Sequence, residues 1–60
     1  MDHKAGDPVW VEHDGDWWPG ELEWTLGPLA TVRFVARVQV PIADQMRPRD
    51  PSKNGADRPE

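Results

Sequence analysis

The sequence predicts a small all-β barrel of four to five short strands, and three observations predict it. Apolar and polar residues alternate at the two-residue period of a strand from Pro8 to His13, from Trp17 to Thr25 and from Ala30 to Val40. Turn signals, Asp14-Gly15 and Gly27-Pro28, fall between these runs at the spacing of short-stranded β folds. No stretch has the period of a useful amphipathic helix, and no segment repeats another.

Each element follows from its residues. Residues 1–6 are polar, end in Gly6 and read as a loose lead-in. From Pro8 to His13, Val9 and Val11 share one face while Trp10 and Glu12 share the other, and Pro8 is tolerated at a strand's first position. Trp10 on that outer face needs a cover: the C-terminal tail, Trp17 or a second subunit. The turn at Asp14–Asp16 uses Gly15 for the positive φ that tight hairpins require. In the second strand Trp18, Gly20, Leu22 and Trp24 point inward, and Trp17, Glu21 and Glu23 point outward. Pro19-Gly20 within it implies an edge position, a bulge or the sharp bend of a strand that serves two sheets.

After the turn at Leu26–Leu29, the run Ala30–Val40 places Val32, Phe34, Ala36, Val38 and Val40 on one face and Arg33, Val35, Arg37 and Gln39 on the other. Fully extended it would span roughly 36 Å, too long for so small a domain, so a break near Val35–Arg37 should divide it into two strands. Pro41–Met46 should form a short helical turn or a closing strand, with Ile42 and Met46 on one face. The barrel thus spans residues 6–48, its core drawn from Val9, Val11, Trp18, Leu22, Trp24, Val32, Phe34, Val38, Val40, Ile42 and Met46. Residues 49–60, polar and proline-containing, bury too little to order themselves and read as a disordered tail.

Composition narrows the function classes. Sixty residues make one domain, with no cysteine for a disulfide and only His3 and His13 as imidazole ligands, too few for a structural zinc site. A net charge of −4 disfavours non-specific nucleic-acid binding, though an acidic rim suits a cationic partner. No apolar run reaches a membrane span and the N-terminus has no signal-peptide core, so the expected location is cytoplasmic, or nuclear in a eukaryote, without membrane contact. His13 beside Asp14 could suggest a catalytic dyad, but no nucleophile accompanies it; Ser52 lies in the tail. Asp14, Asp16, Glu21 and Glu23 read as a solvated face rather than a calcium loop. The chain is therefore read as non-enzymatic, with no cofactor and no metal.

Gly6-Asp7-Pro8-Val9-Trp10, followed by Gly15 and Trp17-Trp18-Pro19-Gly20, resembles the opening of a PWWP domain, with Asp16 where the first proline of the Pro-Trp-Trp-Pro corner would stand. Asp14-Gly15-x-Trp17-Trp18-Pro19 is similar to the aspartate-glycine turn and aromatic of the related Tudor domains of the Royal family. Val32-Arg33-Phe34 resembles their third strand, and Asp44-Gln45-Met46-Arg47-Pro48 their closing turn. The likeness covers roughly residues 6–48. It implies an SH3-like barrel with an aromatic cage for a methylated lysine or arginine, formed by His13, Trp18 and Phe34 with Asp14 and Asp16 beside it. Arg37 stands about where a cage tyrosine would be. Asp14 to Leu22 also resembles the strand of SH3 domains that carries the ligand-binding tryptophan, with Val40-Pro41 like their closing proline turn; that likeness implies a proline-rich peptide packed on Trp17.

The residues leave the alternatives open. Trp18 and Phe34 serve either as core or as cage, and Trp17 is an outward ring beside acids. The leading reading is a protein-binding module using His13, Asp14, Asp16, Trp17, Trp18 and Phe34. A second is a nucleic-acid-associated adaptor in transcription or DNA maintenance using Arg33, Arg37 and Arg47. A third is a weak homo-oligomer joined through Trp10 and Trp17.

Overall fold

The computed structural model describes residues 4–59; the rest of the expected lead-in, His3 included, and Glu60 lie outside them. Five strands and one helical turn follow in order: β1 (Pro8–His13), β2 (Asp16–Leu26), β3 (Leu29–Arg33), β4 (Arg37–Pro41), α1 (Ile42–Gln45) and β5 (Met46–Pro48). They form one antiparallel sheet in the order β4-β3-β2-β1-β5. The four-strand meander comes from short turns, and the fifth strand returns across the sheet to pair with the first.

The β1–β2 hairpin has a two-residue turn at Asp14 and Gly15, with φ of 57° and 78°. Positive φ at both positions gives the twist that matches a right-handed hairpin, and the Asp-Gly pair tolerates it. β2 then changes partner along its length. It pairs with β1 through Asp16–Glu21 and with β3 from Glu21 onward. Pro19 therefore lies where β2 pairs with β1 alone, and its missing N–H breaks no ladder on the β3 side.

The strand serves two partners within a single sheet rather than two sheets, and the irregularity is not at Pro19-Gly20. It is a bulge between Leu22 and Trp24, where Glu23 is the extra residue. The bulge reverses the facing of everything beyond it. Trp24 pairs with Thr31 on the outer face and is 54% exposed, which corrects its expected place in the core. Thr25 instead shares the inner face with Ala30, an unforeseen core residue.

The break in the long third run is present: residues 34–36 are unpaired and separate β3 from β4, with Val35 at the exposed tip. Pro41–Met46 supplies both expected alternatives, a helical turn and then a closing strand. α1 ties the ends of the sheet together, since Ile42 N–H donates to Pro28 O (2.9 Å) and the Gln45 amide to Glu12 O (3.1 Å).

Val9, Val11, Leu22, Ala30, Val32, Val40 and Met46 form one buried cluster, with Phe34, Val38 and Ile42 packed at its margin. These residues come from all five strands and α1.

Residues 4–7 are held more firmly than a loose lead-in, because Gly6 N–H donates to Leu22 O and Leu22 N–H to Asp7 O. The tail is a larger correction. Residues 49–59 pack on the outer face of β1 and contain a 3₁₀ turn at Pro51–Lys53. Asp50 caps that turn by accepting from the Ser52 N–H (3.0 Å) and hydroxyl (2.6 Å). Asn54 and Gly55 then reverse the chain in left-handed conformation, and Asp50 N–H donates to the Asp57 carboxylate at 2.6 Å. Local capping and one large ring underneath supply the order that the tail's own apolar content lacked.

Candidate functional site

The four tryptophans meet different surroundings. On the inner face, Trp18 pairs in register with Val11 and so points toward the core. It lies beyond the end of β3, however, and is 39% exposed. Trp18 was expected inside; it forms the rim. Its indole N–H donates to His13 O at 2.9 Å, which fixes the ring across the hairpin end.

Phe34, in the β3–β4 turn, supplies the neighbouring ring. Its centroid is 6.2 Å from that of Trp18, at an interplanar angle of 25°, and 5.4 Å from that of His13, tilted by 59°. His13, Trp18 and Phe34 are therefore brought together, with Phe34 next to each of the other two. The arrangement is a ledge of adjoining rings, Phe34 stacked on Trp18 and tilted against His13. The outer side of Trp18 and the His13 ring remain accessible.

Gly20 makes this possible. A Cβ at that position would lie 2.9 Å from Arg33 O and 3.3 Å from Phe34 Cβ. Only the absence of a side chain lets the β3–β4 turn approach β2 closely enough to bring Phe34 under Trp18.

Asp14 projects from the hairpin turn beside His13 and is exposed. Asp16 faces His13 in the last register pair of the hairpin. Its carboxylate accepts from Trp17 N–H (2.8 Å) and from the Arg58 guanidinium, and these two bonds, in that order, hold its pKa below the ordinary carboxyl value. The acid expected to serve a ligand is thus already paired with an arginine of the tail.

Trp17 lies apart from this ledge. It is on the outer face opposite Glu12, half-buried, with the Arg47 guanidinium 5.7 Å from its ring. Arg47 also donates to Ala43 O (2.7 Å) and Met46 O (2.8 Å), closing the end of α1.

Arg33 and Arg37 sit directly opposite each other on β3 and β4, an arrangement that repels. The bulged Glu23 offsets it, reaching Arg37 Nε at 3.0 Å and Arg33 Nε at 3.9 Å, with Glu21 4.0 Å from Arg33. The three arginines of the nucleic-acid reading are therefore engaged: two by glutamates, one by backbone carbonyls and a ring.

Trp10 is the most enclosed tryptophan, at 5% exposure, and the tail is its cover. Arg49 and Arg58 each place a guanidinium 6.0 Å from its ring, and Arg49 also donates to Val9 O (3.2 Å) and Gly20 O (3.1 Å). The indole N–H of Trp10 and one Asp57 oxygen are buried without a well-formed hydrogen bond; the Asp57 carboxyl is held below its usual range first by the Asp50 N–H and to a lesser degree by the Trp10 indole.

Asp57 and Arg58 are not singled out by any sequence pattern, and Arg49, which belongs by sequence to a basic cluster with Arg33, Arg37 and Arg47, instead anchors the tail. The signals available were the Asp50-Pro51-Ser52 cap pattern and the Asn54-Gly55 turn dipeptide. Among the described residues no group of three acids, histidines or cysteines could hold a metal ion, and no helix is long and apolar enough to cross a membrane. No family model, curated protein or solved structure matches the chain.

Proposed function

We propose that the chain is a non-catalytic binding module whose aromatic ledge, His13, Trp18 and Phe34, receives a cationic side chain of a protein partner, with Asp14 and Asp16 supplying the counter-charge. The observation that carries this reading is the exposed Trp18 ring, stacked on Phe34 and braced by His13 O beside two aspartates. A methylated lysine suits this chemistry, because its charge is poorly hydrated and attracted to a ring face. The SH3-like, Tudor-like form of the reading draws support from a fifth strand that returns to the first and from a core shared by all five.

The proline-rich alternative through Trp17 has less support, since Arg47 covers part of that ring. The nucleic-acid adaptor is weakened by the pairing of Arg33 and Arg37 with Glu23. A homo-oligomer through Trp10 and Trp17 would have to displace the tail from Trp10.

Calorimetric titration with a trimethyl-lysine peptide and its unmodified counterpart tests the proposal. Binding of the methylated peptide that is lost in Trp18→Ala and Phe34→Ala, with both variants folded, is the expected result. Equal binding to all three proteins would refute it.

A further inference from the structure

We infer that residues 49–59 act as a latch that competes with a cationic ligand for Asp16, so that its closed or released state sets the affinity of the aromatic ledge. The inference rests on the reading of that ledge as a cation site.

Three features point to it. The first is chemical identity: Arg58 is itself a cation seated between a carboxylate, Asp16, and a tryptophan ring, Trp10. The chain thus uses an acid–ring pair on its own arginine in the way the ledge would use one on a ligand. The second is position. Asp16 faces His13 in the register of the β1–β2 hairpin and lies two residues before Trp18, so the carboxylate that holds Arg58 belongs to the hairpin end that carries two of the three ledge rings.

The third is the uneven attachment of the segment. Its near end is anchored by Arg49, part-buried against carbonyls of β1 and β2. Its far end follows the left-handed pair Asn54 and Gly55, and its ion pair joins side chains that are 47% and 56% exposed. An exposed ion pair exchanges readily for another of the same chemistry. The turn at Asn54–Gly55 therefore divides an anchored arm from one that can release while Arg49 remains in place. Release would free the Asp16 carboxylate at the hairpin end next to His13 and remove a competing charge.

The test uses the full chain and a trimethyl-lysine peptide, with affinity measured for wild type, Arg58→Gln, Arg58→Lys, Asp16→Asn and the Arg58→Gln/Asp16→Asn double variant. Arg58→Gln should tighten binding by about two- to fivefold, an effect that fades at high salt, while Arg58→Lys stays near wild type. Asp16→Asn should cancel the gain in the double variant. If Arg58→Gln binds with unchanged affinity while Trp18 still responds, the latch is wrong and the ledge survives as a site. If none of the five proteins binds the peptide at Trp18, the ledge reading fails and the latch with it.

Discussion

Trp10 on the outer face of β1 is 5% exposed, whereas Trp18 on the inner face of β2 is 39% exposed. Strand alternation would assign them the other way round, with the inward ring buried and the outward ring in solvent. Trp10 is sealed because the chain returns over it, with Arg49 and Arg58 near its ring and the turn from Pro51 to Gly55 lining the cleft above it. Trp18 is open because β3 pairs with β2 only from Glu21 onward, leaving Phe34 and His13 as its company. Alternation determines the side of a sheet on which a ring lies; what covers that side depends on strand length and on the path of the chain afterward.

The largest effect should separate the two rings by stability. Trp10→Ala removes a fully enclosed ring and should cost about 3–5 kcal/mol, enough to unfold much of a domain this small at room temperature. Trp18→Ala loses only partial burial and one stack, about 1–2 kcal/mol. Urea denaturation of both variants checks the difference, and equal losses would remove the distinction between sealed and open rings.

Gly20→Ala comes next, because the new methyl group meets Arg33 O and Phe34 Cβ. Overpacking of this kind should cost about 1–3 kcal/mol and displace the Phe34 ring from Trp18. The loss of ring-current shifts between the two side chains would register the displacement. An unchanged aromatic spectrum would mean that the close approach at Gly20 does not position the ledge.

The smallest effect is on pH dependence, and it should appear on the sealed side. The Asp16, Asp50 and Asp57 carboxyls all lie below the ordinary value of 3.8. The main causes are the Trp17 N–H for Asp16, the Ser52 hydroxyl for Asp50 and the Asp50 N–H for Asp57. Groups with lowered folded-state pKa values contribute fully above the ordinary value and lose that contribution as pH falls through the folded-state value. The tail should therefore remain in place at pH 5 and loosen below 3.8. A red shift of Trp10 fluorescence there, absent in Trp10→Phe, is the expected signature.

Much of the fold was legible because local rules decided it. β1 has the predicted ends, the Asp14-Gly15 turn has the predicted conformation, and the run from Ala30 to Val40 breaks where its length required. Trp24 was misplaced because a bulge is set by pairing with β3, and nothing in Glu23 itself announces an extra residue. The tail was misread because its composition describes what it can bury alone, whereas its order comes from capping by Asp50 and from a ring on another strand. His13, Trp18 and Phe34 could be grouped by resemblance. That Asp16 pairs with Arg58 is a contact across 42 residues, beyond any local pattern.

The distinction between the open and sealed rings is tested most directly by following the four indole N–H resonances during titration with a trimethyl-lysine peptide. The Trp18 indole should shift first and furthest, accompanied by the Phe34 and His13 rings, with Trp24 unmoved and Trp10 responding only as the tail is displaced. A response led by Trp10, Trp17 or Trp24, with Trp18 silent, would contradict the account.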